Sequence, residues 1–465
     1  MVEPQTDRAW RIERNGANAV TAAERHATVR DVFWVWFAAN LAILGLVLGA
    51  VVMSYGLSLV QGLLALVGVF SFVLIGYFAV PGARTGAPTM VLSRMAFGTR
   101  GNVLPSLVSW VNLVGWETVV LVVATYALQA AFTAAFGWPA SPVTTVLSLV
   151  VVMGVAFSVA LLGHATLVRV QTGFAYLFGV LTVFVAALLV PHIDWARLVH
   201  LPAGSWLKGF LPALSIVVAG TGLSWVNTAA DYTRYLPREV EAGRVVAATT
   251  WGSVIPAFGL MALGVLLYGS LPKLATAANP IGLLQSLLPA WVAVPYLLTA
   301  VGSMVTGDIM DVYSSGMSLL AADVRIPRYK TVLVDAVLSV GASLYILLAA
   351  QNFIATFEAF LTLLAGALAP WAAVFLVALV RTRGGRGIVV EELYRGAASR
   401  YGTWRWPALT AWAVGLVVSL AFTSTSLFSG PLAVGVFNGS DLGFLLGFLV
   451  SAAVYALWPA PRGGP

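Results

Sequence analysis

The sequence predicts an all-α polytopic membrane protein with about 12 transmembrane helices, and three observations carry that prediction. Of the 465 residues, 60% are hydrophobic and only 9% are charged, too few charges to cover a water-soluble globule of this size. The apolar residues gather into about a dozen runs, each near the roughly 20 residues that cross about 30 Å of hydrocarbon. The basic residues sort to one side. With the N-terminus inside, 22 of the 25 Lys and Arg fall in segments that alternation makes cytoplasmic, leaving Arg197, Lys208 and Lys273 elsewhere. The net charge of +7 is therefore a topology signal, and no nucleic-acid partner is expected.

In chain order, residues 1–31 form a polar, Arg-rich cytoplasmic tail with no cleavable signal peptide. Apolar spans follow at 32–54, 59–80, 104–135, 143–163, 168–190, 211–230, 245–271, 291–322, 331–350, 354–380, 406–427 and 441–459. The stretch 381–405 is a cytoplasmic loop with a short interfacial helix expected around Ile388–Ser399, and 460–465 is a cytoplasmic tail. The loop divides a ten-span core, 32–380, from a final pair, 406–459. A five-span unit placed twice must come out inverted, so the core reads as halves 32–190 and 211–380. Repeats of that kind place a broken first and sixth helix at the binding site. Span one has Asn40 alone among apolar neighbours, and span six is interrupted by Gly220, Gly222, Ser224 and Asn227. The plainer alternative is that small residues serve helix packing, as Gly45 and Gly49 do at GxxxG spacing.

Signatures of soluble enzymes are missing: there is no Walker loop, no HExxH and no serine elbow with a His partner. With no cysteine, thiol chemistry and Cys-ligated metals are unavailable. No cofactor is expected, and no metal site is certain. His26, His164, His192 and His200 all fall at or near predicted membrane ends, where imidazoles are solvated.

The informative residues are acids deep in the spans: Glu117 in span three, Asp308 and Asp311 in span eight. An Asp near the bilayer centre costs roughly 2.5–3.5 kcal/mol, and each Leu, Ile or Val returns at most about 0.6. The six aliphatics between Pro295 and Gly316 therefore do not offset the two acids. Asp308, Asp311, Ser315 and Ser318 share one helical face, which must turn toward the protein interior or a wet cavity. Two carboxylates on one face repel unless a proton, a cation or a donor-rich ligand stands between them. Trp116, beside Glu117, and Trp225, in the interrupted part of span six, offer mid-membrane indole faces to a planar nitrogen heterocycle. Neighbouring carboxyl and amide groups suit its ring N–H groups.

Five local patterns together resemble the purine–cytosine permease family of nucleobase–cation symporters. They are Pro88–Gly101 (PTMVLSRMAFGTRG), Gly115-Trp116, Ala230–Pro237 (ADYTRYLP), Asp311–Gly316 (DVYSSG) and Pro370-Trp371, in consistent order from about residue 25 to 420. The resemblance implies a LeuT-like 5+5 inverted repeat plus two C-terminal helices. It implies uptake of a nucleobase or related heterocycle coupled to sodium or protons across the plasma membrane. Trp116 matches the aromatic on which the family stacks its ligand, and Asp311 aligns with a ligand-binding Asn. The span-six platform aligns with Gly222, which cannot stack, so the role moves to Trp225. The family's span-three amide finds only Asn112 and Glu117 nearby. Asn40, Ser224 and Asn227 complete the candidate substrate set.

For the ion, the family's Ser-Thr hydroxyl pair aligns with Val305-Thr306, so one hydroxyl is gone, while carbonyls near Ala38 and Leu41 remain. A cage with fewer hard oxygens suits sodium less, and buried acids suit a proton relay, so Asp308 and Glu117 are the proton candidates. Sodium-coupled uptake of allantoin, hydantoin or thiamine is the alternative. A cation-selective channel is the second class, but it would need no aromatic platform. An intramembrane enzyme would need a nucleophile–base pair or a metal cluster within the spans, and neither is visible.

Overall fold

A computed structural model describes residues 16–160, 164–324, 326–350 and 353–459. The expected tails at 1–15 and 460–465, and the end of the fourth expected span, lie outside the described residues, as does the side chain of His164. Among the described residues, eight helices are long and apolar enough to cross a membrane, and a ninth crossing is a bent pair. Three further apolar helices are shorter.

The bent pair, α1, joins Val29–Asn40 to Leu44–Ser54 with a 58° change of direction. Its start is set by a capping box, in which Thr28 accepts from the Asp31 amide and Asp31 accepts from the Thr28 amide. After it come α2 (Leu59–Thr85), α3 (Val103–Phe136), α4 (Pro142–Ala160) and α5 (His164–Leu189). The second half holds α6 (Trp206–Thr228), α7 (Ala242–Leu267), α8 (Ala290–Ala321), α9 (Arg328–Leu348) and α10 (Phe353–Arg381). The chain closes with α11 (Trp406–Ala421) and α12 (Gly443–Leu457).

Burial sorts these helices into an inner and an outer set. The central windows of α6, α8 and α10 are 72% buried, whereas those of α5 and α9 are only 28% buried and face outward. The most extensive contact is between α3 and α8, and α1 lies along α7. That second contact is backbone against backbone. A Cβ on Gly49 would stand 2.0 Å from the Met261 carbonyl oxygen, so Gly49 is a packing residue. A third group, α10 with α11 and α12, packs together at one side.

Three expectations need correction. The segment around Ile388–Ser399 is not one helix but two 3-10 turns, Glu391–Tyr394 and Gly396–Ala398. Gly396 has φ +59°, and the Glu392 carboxylate reaches forward to the Arg400 amide at 2.6 Å, which folds the chain back on itself. Apolar run 406–427 forms α11 only to Ala421; the connection to α12 has an isolated bridge between Ser424 and Ser429 and a 3-10 turn at Gly435–Phe437. Glu117, Asp308 and Asp311 are not the only acids deep among the helices. Asp335 on α9 is fully buried as well.

Candidate functional site

The site begins where two helices lose their regular backbone. At the α1 break the Leu41 amide still donates to the Phe37 and Ala38 carbonyls, at 3.0 and 3.3 Å, and the helix restarts at Leu44. The freed Leu41 carbonyl accepts the Ser303 hydroxyl of α8 at 2.7 Å. Backbone opened inside a membrane persists only where protein satisfies it, and Ser303 does so here. In α6 the regular helix stops at Gly220, and Thr221 leaves helical space at φ −123°, ψ −109°. The helix axis carries on past this point, so α6 is interrupted rather than sharply bent. Gly222 is there because α2 is: its amide donates to the Ser71 hydroxyl at 3.1 Å, and a Cβ would meet the Ser71 carbonyl carbon at 2.3 Å.

Between the two breaks lies a cavity of about 80 Å³. Trp116 of α3, Trp225 of α6, Asn40 of α1 and Asp311 of α8 all line it, with Ser303 and Thr221 from beside the breaks. Trp116 stands edge-on to Phe357 and Phe360 of α10, centroids 5.8 and 6.0 Å away, and its indole N–H has no partner. Trp225 is edge-on to Trp36 at 5.6 Å. Asp311 is 2% exposed, and its Oδ1 has no hydrogen-bond partner. Asn40 donates to the Trp36 carbonyl at 2.9 Å.

The remaining candidates lie outside that lining. Asn112 donates to the Ser224 carbonyl at 3.1 Å, Asn227 donates to the Ser109 hydroxyl at 2.7 Å, and Ser109 meets Ser318 at 2.8 Å. Ser224 donates to the Thr221 carbonyl, one of those freed by the interruption. These groups fasten α3 and α8 to the irregular part of α6. Thr306 donates to the Ser303 carbonyl at 2.8 Å, and its own carbonyl accepts Gln171 of α5 at 3.0 Å. Val305 leaves no hydroxyl at its position, but Ser303 supplies one beside the α1 break that sequence alignment did not single out.

Glu117 and Asp308 stand behind the cavity wall, wholly buried, and none of their four carboxyl oxygens has a hydrogen-bond partner. Asp335 of α9 is within their electrostatic reach. It accepts the Trp110 indole N–H and the Ser315 hydroxyl, both at 2.7 Å. Asp308, Asp311, Ser315 and Ser318 are all at most 2% exposed, so the polar face of α8 is turned inward as its energetics require. Arg234, in the turns after α6, is also buried, between the rings of Tyr235 and Tyr313, and donates to the Tyr313 hydroxyl at 2.6 Å. Arg234 lies in a connection that reads as loop in the sequence, so its burial is visible only in the fold.

Broken and interrupted helices around an aromatic-walled cavity within a membrane bundle define a transporter rather than an enzyme. The chain belongs to the family described as permeases for cytosine/purines, uracil, thiamine and allantoin, which matches residues 19–447. It is 27% identical to the putative purine-cytosine permease YxlA of Bacillus subtilis, over 97% of both chains. It is 24% identical to the purine-cytosine permease fcyB of Emericella nidulans, over 96% of this chain and 87% of that one. Its fold matches Mhp1, a nucleobase-cation-symport-1 family transporter solved closed with bromovinylhydantoin bound, at TM-score 0.75 and 19% identity, over 95% and 94% of the two chains. A Na+-coupled sialic acid symporter shares the fold at TM-score 0.61 and 14% identity, over 94% and 89%. The chain is thus a multi-pass, all-α membrane protein of this permease family with the fold seen in Mhp1.

Proposed function

We propose that this transporter imports a nucleobase, cytosine or a purine, together with a proton. The observation that carries the reading is the meeting of Trp116, Trp225 and Asp311 on one cavity between two helix breaks. An indole face stacks a planar ring, and a carboxylate accepts the ring or exocyclic N–H groups of a base. Proton coupling is supported by Glu117 and Asp308. A carboxylate without donors or counter-ion inside protein costs several kcal/mol, so a proton or cation must accompany it. Among the described residues no group of three acidic or histidine side chains is arranged to hold a metal ion.

In this reading all 12 helices are spans. Ten form a core over 32–380 from inverted halves 32–190 and 211–380, α11 and α12 are added, and both termini face the cytoplasm. Substrate and proton bind near the midplane while the bundle rocks between inward- and outward-open states. A sodium-coupled variant has one observation in its favour: the Ser303 hydroxyl meets the Leu41 carbonyl at the α1 break, and the Thr306 hydroxyl bonds the Ser303 carbonyl one turn along α8. The substrate is tested by competing labelled cytosine uptake with adenine, hypoxanthine, uracil, allantoin and thiamine. Competition by cytosine and purines supports the reading, and competition only by allantoin or thiamine moves the chain to another branch of its family.

A further inference from the structure

Away from the cavity, a groove of about 750 Å³ opens on the outer surface between α2 and α7. Its walls are apolar and aromatic: Phe70, Val73, Tyr77, Val246 and Trp251 line it, and Tyr77 and Trp251 are half exposed. These residues lie on helices that face hydrocarbon, so the slot has the shape and polarity for an acyl chain. At one end the character changes abruptly. Arg84 from the end of α2 and Arg383 and Arg386 from the turn after α10 line the same groove.

The positive-inside tendency explains basic residues in these connections. It does not explain why three from two distant segments converge on the mouth of one lateral slot. Arg84 and Arg386 are close enough to repel one another. Arg84 donates to the Gly384 carbonyl, but among the described residues the Arg383 and Arg386 side chains have no hydrogen-bond or ion-pair partner. Ala242 and Gly243, the first turn of the 26-residue α7, line the same rim, and no side chain caps that helix. A helix N-terminus adds partial positive charge and free amides. Beside this rim the Glu241 carboxylate lies over Gly243.

We propose that this groove binds an anionic phospholipid, with the phosphodiester held by Arg84, Arg383 and Arg386 and an acyl chain laid against Tyr77, Val246 and Trp251. The chemistry is that of a membrane-embedded amphiphile with a negative headgroup. Guanidinium forks match phosphate oxygens, and the slot excludes water from the chain. The site joins α2 and α7 to the loop after α10, and it is independent of which base or ion is transported.

The full-length protein, stripped of lipid in mild detergent, is titrated with phosphatidylglycerol, phosphatidylcholine or inorganic phosphate and read by native mass spectrometry. One phosphatidylglycerol should be retained in preference to phosphatidylcholine, and millimolar phosphate should not displace it. Removing two basic side chains, at about fivefold each, should weaken retention roughly twenty-fivefold in Arg383→Gln/Arg386→Gln. Ala247→Trp, which fills the exposed slot without touching the arginines, should weaken it independently. Equal retention of the two lipids overturns the proposal, as does retention unchanged in both variants. Full displacement by phosphate would show a free-anion site instead of a lipid site.

Discussion

Trp116 lines the cavity and also makes T-shaped contacts with Phe357 and Phe360, so the proposed stacking residue is at the same time a packing residue. Trp116→Ala should abolish saturable uptake, a loss of at least ~2 kcal/mol or about thirtyfold in affinity, because stacking and burial go together. Phenylalanine keeps a smaller face and should recover part of it. The readout is substrate binding to purified protein; unchanged affinity in the alanine variant would remove Trp116 from the site. Asp311 and Asp308 sit one turn apart but face different surroundings, Asp311 on the cavity and Asp308 behind it. Asp311→Asn keeps an acceptor without the charge, so it should re-sort substrates in a competition assay while uphill accumulation persists. Asp308→Asn cannot cycle a proton. It should leave binding and exchange measurable but stop accumulation against a gradient; continued accumulation would shift the proton role to Glu117.

Helix α8 gathers most of these interactions on one polar face. Asp311 meets the cavity, Ser303 closes the α1 break, and Ser315 with Trp110 anchors Asp335 of α9. Asp335 therefore ties three helices through two donors. Asp335→Ala leaves the half-buried Trp110 indole N–H without this acceptor, while the Ser315 hydroxyl still has the Val312 carbonyl at 2.9 Å, so it should cost about 1–3 kcal/mol. Asp335→Asn retains one acceptor oxygen and should cost less, an ordering that thermal unfolding in detergent can check. Equal melting of the two variants would mean that the bonds contribute nothing net. Asp335 escaped sequence reading because it lies four residues into an apolar run that begins beside Arg328 and Lys330. In one dimension that is a span end; in the fold α3 and α8 close over it.

At the scale of the whole molecule, proton coupling predicts that a pH gradient alone, acid outside, drives concentrative uptake in proteoliposomes. A sodium gradient without a pH gradient or membrane potential should not. Full accumulation on sodium alone would reverse the order and make Ser303 and Thr306 the first residues to mutate. The membrane class, the polar face of α8 and the irregular backbone near Asn40 and Gly220–Asn227 were legible in the sequence. Each follows from local cost: charges, open backbone and helix-breaking residues are expensive in hydrocarbon wherever they stand. Trp116, Trp225, Asn40 and Asp311 were legible as candidates too, since their type and depth already suit a planar ligand. What only the tertiary structure decided is which candidates share a surface. It put those four on one cavity and set Asn112, Ser224 and Asn227 to fastening α3 and α8 to α6. It left Glu117 and Asp308 behind the wall, brought Asp335 to them, and raised Ser303 to the break in α1. Helical periodicity tells which residues of one helix face together. Which helix they face depends on contacts between segments hundreds of residues apart, and no local cost in the sequence encodes that.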